Sequence, residues 1–378
     1  MKSTKLAQTL AIESQIRMPG SAGRLLKQIR DIESVAPLFR DAGLVKAVER
    51  PSVMNLTVSG VCTKSAIIKA LGGFLFGSAA VRTDMRIEQN QISSNGSDSV
   101  SELDDIDFEA QRKRLDLIEM RHAYILAERM LNLDCPSQMI LLDTPLFINR
   151  DMFPLKQHAK HWSEYEKTKA AIEKFWNKYR TKLFPWDAHG PILASIVAER
   201  FSAIVSIARQ DLRTIEGRKH LLQNDGFDAK RAEKLQGLDD KLAGIGDTRF
   251  INGILTGFTR TIGFRMTEKR SRMEPADAVD PGVIGFHYKG GRSSQIQMVQ
   301  LAGDEPEWSA ALLDNVAWKL MVLDMQNKSK GMPLPQLLGQ QQLKILEEFI
   351  GYYKRGISDA LKNNDIENIW KSDLDEEI

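Results

Sequence analysis

An apolar run that ends in a carboxylate constrains this chain more than any other feature. It is Met139-Ile140-Leu141-Leu142-Asp143, within SQMILLDTPLF (137–147). Four consecutive large apolar side chains read as a short strand covered on both faces, since a half-exposed strand would alternate. A carboxylate at the end of such a strand needs either a donor to cap or a cation to hold. The preceding segment agrees with this reading. From Phe108 to Leu133, Leu115, Ile118, Ala123, Leu126 and Met130 make a helical stripe, and CPSQ breaks the helix ahead of the strand. Strands followed by a helix and a buried strand define an α/β core, whose ligands gather at the carboxyl ends of strands. Asp143 occupies such an end.

The rest of the chain divides by pattern. LAQTLAIESQI and AGRLLKQIRDIESVAPLF predict helices within residues 1–50. SVMNLTVSGV (52–61) predicts a strand ending at Gly60, and KALGGFLFGSAAVRTDMRIEQ two more, joined near Gly77-Ser78. SSNGSDSVSELDDID reads as an exposed acidic loop. Residues 155–240 read as two long helices, the second beginning in GPILASIVAERF. In GVIGFHYKGGRSSQIQMVQLAG, two alternating segments flank a KGGRSS turn and predict a hairpin. The last third is helical, and SDLDEEI is an acidic end that either occupies a basic channel or aids solubility. The expected organisation is N-terminal helices over 1–50, a first core part over 51–154, a helical insertion over 155–245, the remaining core over 246–358, and an acidic tail over 359–378.

Composition excludes several classes. The chain has 378 residues, 42% hydrophobic and 27% charged, and can build a proper core. Its formal charge of +2 neither demands nor excludes nucleic acid. Cys62 and Cys135 provide no disulfide framework, so a reducing cytoplasm is expected. No apolar run approaches the ~20 residues of a membrane span, and the N-terminus lacks a signal-peptide core. The six histidines form no HxH or HxxxH pair, which argues against zinc; His158 and His161 in KQHAKHW read as helix surface. Cys62 lacks a nucleophile elbow and reads as a buried thiol. GSAGRLLKQ (20–28) is no phosphate loop, so motor activity is not expected.

Two groups of residues can carry chemistry. Asp143 has two acidic companions on the preceding helix, Glu119 and Glu128. Carboxylate oxygens of this kind suit Mg2+ or Mn2+, ions that activate water and steady a phosphodiester's leaving oxygen. The plainer alternative is that Asp143 caps the following turn while both glutamates face solvent. Arg260, Arg265, Lys269, Arg270 and Arg272, with Lys289 and Arg292 at the hairpin turn, could neutralise phosphates or form a solvated basic face.

Taken in order, these segments resemble the NurA nucleases, partners of HerA-type hexameric DNA translocases, over roughly Ser52 to Tyr353. LLDTPLF looks like the family strand that ends in aspartate. LIEMRHAYILAERML looks like the helix that carries its glutamate, matched by Glu119 or Glu128, with Glu119 preferred. TRTIGFRM is similar to the segment where a basic residue, here Arg265, follows Ile-Gly, and GFHYKGGRSSQIQMVQL resembles the late hairpin with Tyr288. The resemblance implies a ribonuclease-H-like mixed sheet with large helical additions, a homodimer, a HerA-like hexameric ATPase partner, and Mn2+- or Mg2+-dependent cutting of DNA in end processing or anti-phage defence.

It also implies departures. Ser59 stands where the family's first strand ends in aspartate, Met332 stands for a tyrosine, and Gln340 or Gln341 for a histidine. Asp84 or Glu88 could fill the gap left at Ser59. The expectation is a nuclease that is weak or dependent on its complex, with Asp143 and Glu119 as metal ligands and catalytic residues, and Lys269, Lys289 and Arg292 beside Arg265 on DNA. The alternative is a catalytically inactive adaptor that assembles with the ATPase and regulates it.

Overall fold

In a computed structural model, the chain is described apart from residues 1, 50–53, 71, 72, 90, 149, 184–189, 198–213, 215, 216, 243, 267–281, 292, 293, 304–306, 326–331 and 363–378. Labelling helices of eight residues or more, the order is α1 (Lys2–Asp41), β1 (Val45–Ala47), β2 (Leu56–Ala70), β3 (Gly73–Glu88), β4 (Gln91–Ile106), α2 (Gln111–Leu131) and β5 (Met139–Leu142). There follow α3 (Ala159–Leu183), β6 (Ile192–Val197), α4 (Asp247–Ile254), β7 (Thr259–Thr261), β8 (Phe264–Arg265), β9 (Val283–Lys289) and β10 (Gln297–Ala302). The last elements are α5 (Ala310–Asp324), α6 (Leu334–Gln342) and α7 (Leu346–Lys362).

The strands form one sheet in the order β1-β7-β9-β10-β6-β5-β2-β3-β4, with β8 also paired to β9. β2, β3 and β4 are antiparallel, whereas β5 runs parallel to both β2 and β6. Three antiparallel strands followed by two parallel ones make a ribonuclease-H-like α/β core, which an antiparallel extension enlarges. The expected hairpin is β9–β10, paired from Gln297↔Tyr288 to Ala302↔Val283.

Strand alternation assigns the two faces of the sheet. Ile140 and Leu142 of β5, with Val61 of β2, pack against Met120, Ala123, Ala127 and Met130 of α2 and Trp176 of α3. Met139 and Leu141 point the other way, into the cluster of Leu313, Val316, Ala317 and Leu320 of α5. Four apolar residues in succession are therefore needed because both faces are covered, as the composition of the run implies.

Several elements differ from the sequence expectation. β2 does not end at Gly60 but continues ten residues to Ala70. A Cβ at Gly60 would lie 2.7 Å from the Gln336 nitrogen and 2.8 Å from the Pro335 carbonyl carbon. The glycine admits the start of α6 against the strand rather than stopping it. β3 is one strand through Gly77-Ser78, not two. The acidic stretch taken for a loop is β4, the outer strand, paired with β3 along its length. Serine and aspartate have poor β-propensity, but β3 supplies a full ladder, and acidic side chains suit an exposed edge.

The beginning of the second helix expected over 155–240 is instead β6, held between β5 and β10. A short apolar run cannot be told from a helix by periodicity alone. Finally, residues 2–41 form one helix containing Pro19 and Pro37. Ile32, Val35, Ala36 and Phe39 bury its last turns against Phe250, Ile251 and Ile254 of α4.

Candidate metal-binding site

Asp143 follows the last residue of β5, where the ladder with β2 stops at Val61↔Leu142. With no further β5 carbonyl to meet β2, the Asp143 side chain supplies the acceptors. The Thr63 N–H donates to Oδ2 at 2.8 Å, and the Thr63 hydroxyl donates to Oδ1 at 3.0 Å. Glu119 Oε2 lies 3.4 Å from the same hydroxyl. Thr63 shares the β2 face of Val61, which packs on α2, and Glu119 comes from the middle of that helix. Beyond Asp143, the Leu146 N–H donates to Gln300 Oε1 at 3.0 Å. The Leu146 carbonyl accepts from the Tyr124 hydroxyl, which holds the turn to α2.

The electrostatics of both carboxyl groups are set first by burial. Residue Asp143 keeps some exposed surface, but protein atoms crowd its carboxyl group. Burial, together with the charge of Glu119, pushes its pKa to about 7 against the Thr63 hydrogen bonds. Glu119 is also raised, by burial and by Asp116. The Cys62 thiol, on the opposite face, donates to the Gln336 carbonyl at 2.9 Å and is pushed well up by burial and by Asp143. It is a structural thiol, as its sequence context implies.

Of the two glutamates offered by the sequence, Glu119 lies beside Asp143. Glu128 instead accepts from Lys178 of α3 at 3.0 Å. Ser59, set by resemblance against the family's first-strand aspartate, lies on β2 opposite Ile140 of β5. Four residues before Thr63, about 13 Å along a strand, it donates to Asp84 Oδ1 at 2.7 Å and lies 2.7 Å from the Ser137 hydroxyl. On the same strand, Thr63 is the residue that meets Asp143. A strand read through Gly60 would have placed Thr63 on the face of Val61, but the sequence reading stopped at that glycine.

Asp84 lies directly beside Ser59, whereas Glu88 is on the surface. Asp84 accepts from Arg82 at 2.9 and 3.0 Å, and Glu88 pairs with Arg86 on the surface. Met332 is half-buried just before α6, and Gln340 lies on α6, whose Gly339 packs on Cys62 across the sheet from Glu119.

The basic residues are placed differently from the expectation. Arg260 is fully buried and forked onto Asp225 at 2.7 and 2.8 Å. Lys289, the last residue of β9 before the hairpin turn, is 8% exposed and donates to Asn252 at 2.9 Å. Arg265 donates to the Lys219 carbonyl at 2.7 Å, and β9, β10 and β6 separate its strand from β5. Lys269, Arg270, Arg272 and Arg292 lie outside the described residues. His161, read as helix surface, is 1% exposed.

Asp143, Glu119 and the Thr63 hydroxyl form an all-oxygen donor set, which suits a hard divalent cation. Among the described residues, no three His, Cys, Asp or Glu side chains are grouped to hold a metal ion. The described donors fit a cation that keeps water or phosphate oxygens as its remaining ligands.

Fold and site together define a ribonuclease-H-like α/β protein with a carboxylate pair at the carboxyl end of β5. Its solved structural neighbours make the class more specific. The NurA nuclease from Sulfolobus solfataricus superposes over 96% of this chain and 98% of its own, at 11% identity and a TM-score of 0.55. NurA bound to dAMP and manganese covers 96% and 99% at 10% identity, with a TM-score of 0.47. The chain has a NurA-like fold. No family model matches the sequence, and no curated protein matches it. Among the described residues, no helix is long and apolar enough to cross a membrane.

Proposed function

We propose that this protein is a divalent-metal-dependent nuclease of NurA type acting on DNA, with activity that is weak or requires a complex. The observation that carries the reading is the meeting of Asp143 and Glu119 around the Thr63 hydroxyl, at the strand end where such sheets place their ligands. The structural neighbour at TM-score 0.55 is itself a nuclease. Mn2+ or Mg2+ held there would supply an activated water and a counter-charge for the leaving oxygen. Asp143 and Glu119 would hold the ion, with Thr63 fixing the Asp143 carboxylate through its N–H and hydroxyl. An Asp143 pKa of about 7 ties ion binding to pH, because the protonated acid is a poor ligand. The partners in this reading are DNA, a second copy of the chain and a HerA-like hexameric ATPase, in DNA end processing or anti-phage defence inside the cytoplasm.

A second reading, an inactive adaptor that regulates the ATPase, is favoured by one observation. Thr63, a neutral residue, occupies the position between the two carboxylates, which leaves a bound ion under-neutralised.

The experiment compares wild type, Asp143→Ala and Thr63→Asp on single- and double-stranded DNA with Mn2+, alone and with the cognate translocase. The nuclease reading expects cutting that Asp143→Ala abolishes and that Thr63→Asp raises about tenfold or more, the usual scale of a ligand-sphere change. An unchanged absence of cutting in every mixture, with an altered ATPase rate, overturns it in favour of the adaptor.

A further inference from the structure

The N-terminal part of α1 is left uncovered. The last turns of the helix bury Ile32, Val35, Ala36 and Phe39 against α4. The stripe of Ile32, Ala36 and Phe39 continues backward, three and four residues at a time, through Ile29, Leu25, Ala22 and Met18, with Leu10 and Leu6 on the same side. Its five large side chains, Leu6, Leu10, Met18, Leu25 and Ile29, are 42–62% exposed. A helix draws most of its stability from packing such a stripe. Large apolar side chains aligned on one side, rather than scattered, mark an interaction surface.

Charge narrows what covers it. Residues 5–30 carry five cations, Lys5, Arg17, Arg24, Lys27 and Arg30, and one carboxylate, Glu13. Glu13 pairs with Arg17, and Arg24 bonds to Ser21, so cations remain in excess. A second α1 laid on the stripe would set cation against cation, which disfavours that pairing. The chain itself carries the opposite charge at its other end. Residues 363–378, NNDIENIWKSDLDEEI, follow α7 beyond the described residues and hold six carboxylates and one lysine. Ile366, Ile369, Trp370, Leu374 and Ile378 recur three and four apart, the spacing of an amphipathic helix. In charge and in apolar pattern, this segment is the complement of α1.

The sheet decides which copy supplies it. α7 lies over β2 and β3, where Glu347 pairs with Lys64 on the face of Gly60 and Cys62. α1 lies by β1 and on the other face, since Val197 in its cluster shares the β6 face of Leu193, which packs with α2 and α3. Five strands stand between β1 and β2, a width of about 29 Å at ~4.8 Å a step. The sixteen residues 363–378 span only about 24 Å as a helix. They are too short to cross that width and reach the opposite face of their own chain.

We propose that the acidic C-terminal segment, residues 363–378, of a second copy docks as a helix on the basic, apolar side of α1. Its apolar side covers the stripe, and its carboxylates meet Arg17 and Arg24, which border the stripe beside Met18 and Leu25, together with Lys27. Each copy offers both halves of the contact, so two such contacts close a two-fold dimer. The second copy named in the proposed function thereby gains a docking surface, and the contact does not depend on whether the Asp143 site cuts.

The test places a photo-crosslinking amino acid at position 25 of the full-length protein. Isotope-labelled and unlabelled chains are mixed at about 10 μM, which populates contacts of micromolar affinity. The expected product joins position 25 of one isotope to residues 363–378 of the other. Arg17→Glu, Arg24→Glu and Lys27→Glu together should lower its yield about fivefold or more, the scale of three exposed charge pairs. Adding Asp373→Lys, Asp375→Lys and Glu376→Lys should restore it, and thermal melts confirm that each variant is folded. Crosslinks confined to one isotope assign the segment to its own chain and overturn the proposal. Products that miss residues 363–378, or a yield indifferent to the charge reversal, overturn it too. Irradiation is repeated with phosphatidylserine vesicles and with a short oligonucleotide. Capture of either in place of residues 363–378 would make α1 a lipid- or nucleic-acid-binding helix instead. DNA cutting is scored on the same samples, so a dead nuclease with a docked segment stays distinguishable from the converse.

Discussion

Asp324, the last residue of α5, has no exposed surface and faces Tyr288 of β9, also fully buried. No cation among the described residues pairs with it, and burial raises its pKa well above that of an ordinary carboxylate, while Tyr288 opposes the shift. Tyr288 is raised by the same burial and by Asp324. Because the folded value exceeds the unfolded one, this group's stabilising contribution is complete below the unfolded carboxylate pKa of about 3.9. It is lost as pH rises toward the folded value, by up to about 1.4 kcal/mol per pH unit for one proton. Urea unfolding at intervals from pH 5 to about 8 should therefore show a decline that Asp324→Asn flattens; an identical slope in the variant would remove the assignment. Asp143 shares the physical cause but not the setting, since Thr63 supplies two hydrogen bonds to it and Glu119 lies beside it.

At the level of elements, β2 organises the site because its two faces meet different partners. Val61 packs on α2 and Thr63 reaches Glu119, while Gly60 and Cys62 lie under α6. Gly60→Ala would drive a Cβ against two backbone atoms of α6, which cannot yield as a side chain does. The expected loss is about 1–3 kcal/mol, the usual scale of overpacking, measured as a lower urea midpoint with an unchanged slope. Gly23 of α1 offers a control, since nothing lies within 4 Å of a Cβ there, and Gly23→Ala should stabilise slightly through helix propensity. β4 depends on β3 in the same way that α6 depends on Gly60: its residues become a strand through the partner they are given.

Across the whole molecule, the sheet extension is joined by a buried ion network. Arg260 of β7 forks onto Asp225 and also meets Asp314 of α5 at 2.6 Å. Asp225 further accepts from Lys46 of β1 at 2.8 Å and from the Gly263 N–H at 2.7 Å. Arg260→Ala would leave Asp225 buried with Lys46 as its remaining cation and should cost about 3–5 kcal/mol. The double variant with Asp225→Ala should cost less than the two single losses added, because the stranded charge is gone; strict additivity in urea unfolding would contradict the coupling. By itself the sequence determined the apolar run over 139–142 with its terminal Asp143, the α2 stripe that carries Glu119, the β9–β10 hairpin and the C-terminal helices. Each of these is written in local periodicity and in burial on known faces. The tertiary structure alone decided that β2 continues through Gly60, that Ser-rich β4 and apolar β6 are strands, and that Thr63 rather than Ser59 lies beside Asp143. It likewise turned Arg260 and Lys289 inward. In each case the state of the residue depends on a partner distant in sequence, whose ladder, contact or charge no local pattern records.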